Sequence, residues 1–240
     1  MMQVDLIYFT GKDTPDPVWY AARLLAFTKN TRLNMTPDNF TMFMQKTPEE
    51  LTAELNYMSN TIPSAWEFID LIFCIQNISR ACAQQITRTR NAVFQMQSQR
   101  VSDVRKSEAY IPPSIPLEHR TMYTLALSAS LSSYGALLDR GISPEDARGV
   151  LPLSIHCNLI AKYNFRNWVD LIRARDSLRV QDEYHSVILA MREQVLAALP
   201  WVKVFVQPKQ AKAIELIETV AKELPKEQRT LLAKASDLLK

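Results

Sequence analysis

The chain has 240 residues, of which 47% are hydrophobic and 22% are charged, so it can bury a core in one large domain or two small ones. Its formal net charge at pH 7 is only +3. This near balance argues against a protein that binds nucleic acid through a basic surface, and we expect no nucleic-acid partner.

The N-terminal part of the chain alternates strand and helix signals. The segment QVDLIYF is rich in β-forming residues and predicts a short strand over Gln3–Phe9. Helix start signals, each with a proline at the first helical position, follow at Pro17, Pro37 and Pro48. The apolar segment EFIDLIFCI predicts a mostly buried strand over Glu67–Ile75, and a short helix is predicted next, over Ser79–Thr87.

The second part of the chain is mainly helical. Tyr110–Pro116 (YIPPSIP) is predicted to be an extended loop, because its prolines exclude regular structure. A long helix is predicted over Leu117–Arg140 and ends at Gly141, and Ser143 opens the next helix. The remaining predicted elements are a strand over Ser154–Tyr163 and helices over Asn164–Arg175 and Val180–Leu199. Long helices with few, separated strands predict an α+β fold, in which the helices pack around a small, mainly antiparallel sheet.

The last part of the chain differs in composition from the rest. Residues 208–240 are rich in lysine and glutamate, contain no aromatic residue, and form two amphipathic helical patterns separated by Pro225. We therefore predict one domain over residues 1–207, followed by a helical extension over 208–240 that packs on the domain or on a neighbouring subunit.

The cysteines and the N-terminus indicate where the protein works. Cys74, Cys82 and Cys157 lie in apolar segments without metal-ligand spacing, which predicts buried free thiols and no metal site. The N-terminus lacks the basic start and apolar run of a signal peptide, and no segment approaches the roughly 20 apolar residues of a membrane span. We expect a cytoplasmic protein (in the host cytoplasm if a virus encodes it) with no membrane partner.

An acid-free run of sequence contains the clearest functional signal. From Leu71 to Ser102 there is no aspartate or glutamate, so the arginines of ITRTRNAVFQMQSQR have no local partner. Arginine suits phosphate because its planar fork forms bidentate pairs with phosphate oxygens. If Arg88–Arg90 is extended, both guanidinium groups lie on one side, and Ser98 with Arg100 repeats this geometry. The pattern predicts a phosphate clamp, with surface arginines as the alternative.

Residues 88–100 carry a resemblance to a known family. Arg88-Thr89-Arg90, seven residues and then Ser98-Gln99-Arg100 are similar to the signature of the flavin-dependent thymidylate synthases, in which a histidine occupies the place of Thr89. The segments Glu145–Ser154 and Asn164–Glu183 match a second family block in order and spacing. The resemblance covers about Val4 to Trp201.

The resemblance implies a homotetramer that binds FAD at subunit interfaces. It implies methylation of C5 of dUMP, with methylenetetrahydrofolate as carbon donor and NADPH as reductant. It assigns substrate binding to Gln85, Arg88, Ser98, Gln99, Arg100, Arg148 and Arg175. It assigns FAD binding to Arg88, Thr89, Arg90, Asn164, Asp170 and Arg179. Catalytic roles fall on Arg175, which is expected to polarise the pyrimidine, and on Arg88.

The loss of the motif histidine leaves three functions open. The first is the conversion of dUMP to dTMP, and the second is release of a hydroxymethyl product from dUMP or dCMP by the same scaffold. The third is a nucleotide-binding homologue without turnover. Thr89 offers one hydroxyl where the family has two ring nitrogens, so FAD binding is expected to be weaker than in the family.

Overall fold

Four antiparallel strands form a single sheet in this computed structural model, which describes residues 1–61, 63–175, 181–207 and 219–220. The strands are β1 (Gln3–Phe9), β2 (Asp70–Ser79), β3 (Ala92–Met96) and β4 (His156–Asn164). Their order across the sheet is β1-β2-β4-β3, and every neighbouring pair is antiparallel. The prediction of an α+β fold with a small antiparallel sheet is therefore confirmed.

Nine α-helices accompany the sheet in the described part of the chain. They are α1 (Pro17–Lys29), α2 (Pro37–Met44), α3 (Pro48–Met58), α4 (Arg80–Ile86), α5 (Leu117–Asp139), α6 (Pro144–Ala147), α7 (Phe165–Arg175), α8 (Asp182–Ala198) and α9 (Lys203–Val206). Short 3₁₀ segments span Pro63–Phe68, Arg148–Val150 and Pro200–Val202. The predicted helix starts at Pro17, Pro37 and Pro48 are confirmed.

The sheet and its helices share one main hydrophobic core. Alternate residues of β2, namely Leu71, Phe73 and Ile75, are fully buried, as the two-residue period of a strand requires. Aromatic side chains extend the core beneath α7, where the rings of Trp66 and Phe205 lie 5.0 Å apart at nearly right angles. This core fixes α4, α7 and α8 against the sheet, and those three helices carry the candidate site.

Two strand predictions differ from the structure. The strand expected over Glu67–Ile75 begins at Asp70 and continues to Ser79, because the preceding segment turns into the 3₁₀ helix that buries Trp66. Strand β3 was not predicted. It is a short edge strand with exposed Val93 and Gln95, so its sequence lacks the apolar run that marks a buried strand.

The predicted helical extension lies outside the described residues, apart from Thr219 and Val220, which are helical. The division into residues 1–207 and 208–240 therefore stays a prediction. No helix within the described ranges is both long enough and apolar enough to cross a membrane.

Candidate nucleotide site

Helix α4 begins at a serine that also contacts α8. The Ser79 hydroxyl accepts a hydrogen bond from the Cys82 N–H at 3.0 Å, which is an N-cap of α4. Ser79 also donates to the Glu183 carboxylate, from its N–H at 2.7 Å and from its hydroxyl at 2.5 Å. Because Ser79 and Glu183 are both buried, these bonds hold the start of α8 against the start of α4.

A cavity of about 630 Å³ lies between α4, α7 and α8. Its lining consists of Gln85, Arg88, Arg175 and Tyr184. The Gln85 amide donates to the side-chain oxygen of Gln181, which precedes α8. The Arg175 guanidinium carbon lies 5.9 Å from the centre of the Tyr184 ring, within cation–π range. The cavity therefore brings together residues that both family blocks contribute.

The two arginines of this cavity lack acidic partners in the described part of the chain. Neither Arg88 nor Arg175 forms an ion pair with any described aspartate or glutamate. Two guanidinium groups that line one cavity repel one another, and an anion bound between them offsets that repulsion. A phosphate oxygen pair meets the fork of an arginine in two parallel hydrogen bonds. The cavity is therefore suited to a phosphorylated ligand.

The arginine motif itself forms a turn between α4 and β3. The Arg88 N–H donates to the Gln85 carbonyl at 3.3 Å, and the Thr89 N–H donates to the Ile86 carbonyl at 3.1 Å. Asn91 has a positive φ of 60° and closes the turn, a conformation that asparagine tolerates better than most residues. The extended geometry considered for Arg88–Arg90 is therefore wrong. Arg88 lines the cavity because the turn follows directly from α4.

Thr89 interacts with two buried tyrosines. Burial raises the pKa of Tyr163 and of Tyr184, and hydrogen bonding with Thr89 opposes that rise in both cases. The Tyr163 hydroxyl is buried and has no hydrogen-bond partner of standard geometry. The Thr89 side chain therefore lies near both tyrosine hydroxyls, without a hydrogen bond of standard geometry to Tyr163.

A second group of predicted substrate residues lies at another cavity, of about 330 Å³. Gln99 and Arg148 line it together with Arg80 and Gln84. The Gln99 side chain is buried, and its amide nitrogen has no hydrogen-bond partner. Such an orphaned donor costs free energy unless a ligand or water satisfies it. Within one chain, Gln99 and Arg148 therefore belong to a different surface from Gln85, Arg88 and Arg175.

Arg100 has an acidic partner that the local sequence did not reveal. Its Nε lies 2.7 Å from Glu145 Oε1 and its Nη2 lies 3.0 Å from Glu145 Oε2, so the pair is bidentate. The Arg100 N–H also donates to the Ser98 hydroxyl at 3.2 Å. Both side chains of the ion pair are about half exposed, which leaves the guanidinium open to exchange partners.

The residues that the resemblance assigns to FAD surround the start of α7. The Asn164 side-chain oxygen accepts a hydrogen bond from the Asn167 N–H at 2.9 Å, and the Asn167 amide donates to the Asn91 carbonyl at 2.8 Å. Asp170 is exposed on the same helix. Arg90 is exposed on the neighbouring turn and forms no ion pair with a described acid. Arg179 lies outside the described residues.

The cysteines are unsuited to act as nucleophiles in this site. Burial raises the pKa of Cys82 and Cys157, and the nearby Glu183 carboxylate adds to the rise for both thiols, although Arg80 opposes it at Cys157. A thiol with a raised pKa stays protonated near neutral pH and reacts poorly. None of the three cysteines lines the cavity formed by Gln85, Arg88, Arg175 and Tyr184.

Sequence reasoning missed three residues around these cavities. Glu145 and Glu183 stand out in the sequence only as the ends of the two segments that match the second family block. Tyr184 carries no sequence signal beyond its aromatic ring. Their contacts join residues far apart in the chain, which spacing along one segment does not reveal.

Comparison with known proteins gives one consistent result. The family model described as thymidylate synthase complementing protein matches residues 6–201. The flavin-dependent thymidylate synthase of Geobacter sulfurreducens is 30% identical over 197 residues, which cover 78% of this chain and 81% of that protein. The flavin-dependent thymidylate synthase of Pyrococcus abyssi is 28% identical over 152 residues, which cover 58% of this chain and 62% of that protein.

A solved structure has a similar fold. The crystal structure of the UMP/dUMP methylase PolB from Streptomyces cacaoi, bound with 5-Br dUMP, superposes with a TM-score of 0.69. The match covers 85% of this chain and 94% of that chain, at 19% sequence identity.

Proposed function

The chain belongs to the thymidylate synthase complementing protein family, the enzymes known as flavin-dependent thymidylate synthases, and from this premise we propose that it methylates C5 of a pyrimidine deoxynucleotide, converting dUMP to dTMP. The observation that carries the proposal is the cavity in which Gln85, Arg88 and Arg175 converge without a described acidic partner. Relatives named as thymidylate synthases, and the similarly folded methylase crystallised with 5-Br dUMP, support a pyrimidine nucleotide as the ligand.

Each polar group of the cavity has a defined task in this proposal. Arg88 binds the phosphate of the nucleotide, because its guanidinium fork matches two phosphate oxygens. The Gln85 amide offers a donor and an acceptor, which suits the edge of a pyrimidine base. Arg175 contacts the base and stabilises the negative charge that develops on it as C5 becomes nucleophilic.

FAD fits the charge of the residues next to this cavity. Arg88 and Arg90, both exposed in the turn after α4, supply positive charge for a diphosphate, and Asp170 is exposed on α7. FAD bound by these residues would supply the hydride that completes the methyl group, with NADPH as the reductant and methylenetetrahydrofolate as the carbon donor. Thr89 is the exception in this set, because it offers one hydroxyl where the family has a histidine ring.

The protonated thiols are consistent with a methylation that uses no cysteine nucleophile. Activation of the base by an enzyme cysteine needs a thiolate close to the nucleotide. Cys82 and Cys157 are buried, and both have raised pKa values. Polarisation of the base by Arg175 needs no such nucleophile.

We propose a homotetramer as the active form. One chain separates Gln85, Arg88 and Arg175 from Gln99 and Arg148, although the resemblance assigns all five to one nucleotide. Adjacent subunits then complete each site, each subunit contributing one of the two surfaces. Both sequence blocks contribute to both surfaces, since Gln85, Arg88 and Gln99 come from the first block and Arg148 and Arg175 from the second. Light scattering of the purified protein tests this, and a monomer at working concentration contradicts it.

Product analysis tests the reaction itself. The purified protein is incubated with FAD, NADPH and methylenetetrahydrofolate, together with dUMP, UMP or dCMP. The mass of the product nucleotide is then determined by mass spectrometry. A product heavier than dUMP by one methylene unit supports the proposal, whereas a hydroxymethylated product identifies the alternative reaction. Arg175→Lys is expected to abolish most of the turnover, because lysine lacks the planar fork. Arg140→Lys, at the exposed end of α5, is the matched control. Absence of product with all three nucleotides rejects the proposal.

A further inference from the structure

Helix α5 leaves most of its surface uncovered within one chain. It spans the 23 residues Leu117–Asp139, yet only Leu127 and Tyr134 are buried. Helices in folded proteins gain most of their stability from the packing of an apolar face, because an isolated helix is only marginally stable in water. A long helix with two buried side chains therefore indicates that another surface packs against it.

The uncovered side of α5 carries a regular stripe of apolar and small residues. The members of this α5 stripe follow one another at alternating steps of three and four residues and are Met122, Leu125, Ala129, Ser132 and Ala136. This spacing places them on one face of the helix, and the buried Leu127 and Tyr134 lie on the opposite face. Met122 and Leu125 are 69% and 66% exposed. The same spacing is used by pairs of helices that pack along a shared seam.

No charged residue interrupts the α5 stripe. The segment from Thr121 to Leu138 contains no aspartate, glutamate, lysine or arginine. A helix face in contact with water normally carries charged or polar side chains opposite the buried face. The centre of a protein–protein interface, in contrast, is depleted of charge. The composition of this face is therefore typical of a contact between proteins.

The two ends of the α5 stripe carry opposite charges. Glu118 and Arg140 lie eleven residues on either side of Ala129, and both are exposed. Neither forms an ion pair with a described residue. Two copies of α5 that pair antiparallel about Ala129 place Glu118 opposite Arg140 of the partner subunit at both ends. A parallel pair places like charges together, so the charges favour the antiparallel arrangement.

The sizes of the side chains favour the same arrangement. The large residues Met122 and Leu125 precede Ala129, whereas the small residues Ser132 and Ala136 follow it. Antiparallel pairing about Ala129 therefore places Met122 against Ala136 of the partner subunit, and Leu125 next to Ser132 of the partner subunit. Large side chains opposite small ones fill the space between two helices without voids.

We propose that α5 pairs antiparallel with α5 of a second copy of this chain, through the α5 stripe and about a two-fold axis at Ala129. A contact of this kind, in which both copies use the same surface, is the commonest form of interface in homo-oligomers. The inference specifies one contact of the proposed homotetramer and rests on that part of the proposed function, not on the reaction. Because α5 also packs against Arg148–Val150, the pair brings the cavity of Gln99 and Arg148 close to a subunit boundary.

A single acid in the α5 stripe is expected to divide the assembly. In Leu125→Glu, we expect the molar mass measured by light scattering to fall to half that of the parent, because the two-fold axis brings two buried carboxylates together. The circular dichroism spectrum is expected to match that of the parent, since Leu125 is exposed within one chain. Thr124→Glu is the matched control. Thr124 is exposed in the same turn, about 100° from Leu125 around the helix, so this variant is expected to keep the parent mass.

A charge exchange tests the antiparallel arrangement. Glu118→Arg and Arg140→Glu each set like charges against each other at both ends of the pair. We expect either change to raise the dissociation constant about tenfold at low salt, measured by sedimentation, and the double variant to restore the parent value. The two residues lie about 33 Å apart along one helix, so restoration requires contact between copies. Arg140→Lys keeps the positive charge and is expected to assemble like the parent.

The outcomes separate this inference from the proposed reaction. An unchanged mass in Leu125→Glu, the result expected if another segment or a different protein covers the α5 stripe, overturns the proposal. So does a double variant that dissociates more readily than either single variant. If no nucleotide is methylated but Leu125→Glu halves the mass, the proposed reaction fails and the α5 pair stands. Methylation by the parent, with an unchanged mass in Leu125→Glu, leaves the reaction and removes the pair.

Discussion

The buried carboxylate of Glu183 accepts two hydrogen bonds from Ser79, at 2.7 Å from the backbone N–H and at 2.5 Å from the hydroxyl. The same hydroxyl caps α4 by accepting from the Cys82 N–H. One serine therefore starts α4 and holds α8 against it. Because Gln85 lies at the end of α4 and Tyr184 follows Glu183 directly, this contact links two of the helices that line the cavity.

Ser79→Ala is predicted to destabilise the protein. It removes the N-cap of α4 and leaves the buried Glu183 carboxylate without its hydroxyl donor. We expect the free energy of unfolding to fall by about 2 kcal/mol, measured by urea unfolding. Ser186→Ala in the same α8 is the control, because its exposed hydroxyl bonds only to the Asp182 carbonyl of its own helix. Equal stabilities of the two variants contradict the role of Ser79.

Glu145 is predicted to compete with the nucleotide for Arg100. In the single chain the two side chains form a bidentate ion pair in which both are about half exposed. If Arg100 binds phosphate, Arg100→Ala weakens dUMP binding by roughly 1.5–3 kcal/mol, the range for hydrogen bonds to charged groups. Glu145→Gln is expected to tighten binding, because it removes the competing charge.

Calorimetry with dUMP measures both effects. Arg105→Ala is the matched control, since Arg105 also forms an ion pair with surface acids, Asp103 and Asp139. Its dUMP affinity is expected to equal that of the parent. Unchanged affinity in Arg100→Ala rules out the phosphate contact, and weaker binding in Glu145→Gln rules out competition.

Restoring the family histidine is predicted to fail in this chain. Thr89 is half-buried and lies near the buried Tyr163 and Tyr184, so we expect the larger ring in Thr89→His to press against them. Overpacking of this kind costs about 1–3 kcal/mol. We therefore expect a lower melting temperature and no gain in FAD affinity in a flavin fluorescence titration.

Thr41→His, at an exposed position of α2, controls for the substitution itself. Tighter FAD binding by Thr89→His at unchanged stability contradicts this prediction.

Stability is predicted to decrease at alkaline pH. Burial, together with Glu183, raises the pKa of Cys82 above its ordinary value of 9.0, so the folded state holds this proton more tightly than the unfolded state. The resulting stabilisation is fully present below pH 9.0 and is lost as the pH rises toward the folded pKa. Tyr163 and Tyr184 act in the same direction from their ordinary value of 10.0.

Urea unfolding between about pH 8 and about pH 10.5 checks this dependence. We expect the free energy of unfolding of the parent to fall over that range, and Cys82→Ala to show a smaller fall because one of the responsible groups is absent. Ser186→Ala changes no titrating group and is expected to keep the slope of the parent. An identical slope in Cys82→Ala removes this thiol from the explanation.

The sequence by itself determined the features that depend on neighbouring residues. Thr36, Thr47 and Ser143 each begin a helix by accepting a hydrogen bond from the N–H three residues ahead, and these signals lie within a single turn of chain. The α+β class followed from the spacing of such elements. The arginines of the candidate site were found in the same way, because residue types and spacing identify a motif without its three-dimensional context.

Only the tertiary structure decided which of these residues work together. Arg88 and Arg175 meet because α4, α7 and α8 pack on one core, and the sequence contains no local trace of that contact. For the same reason Arg100, which has no acid near it in the sequence, pairs with Glu145. Local patterns arise from hydrogen bonds within a few residues, whereas a site arises from the packing of helices and strands that are distant in the chain.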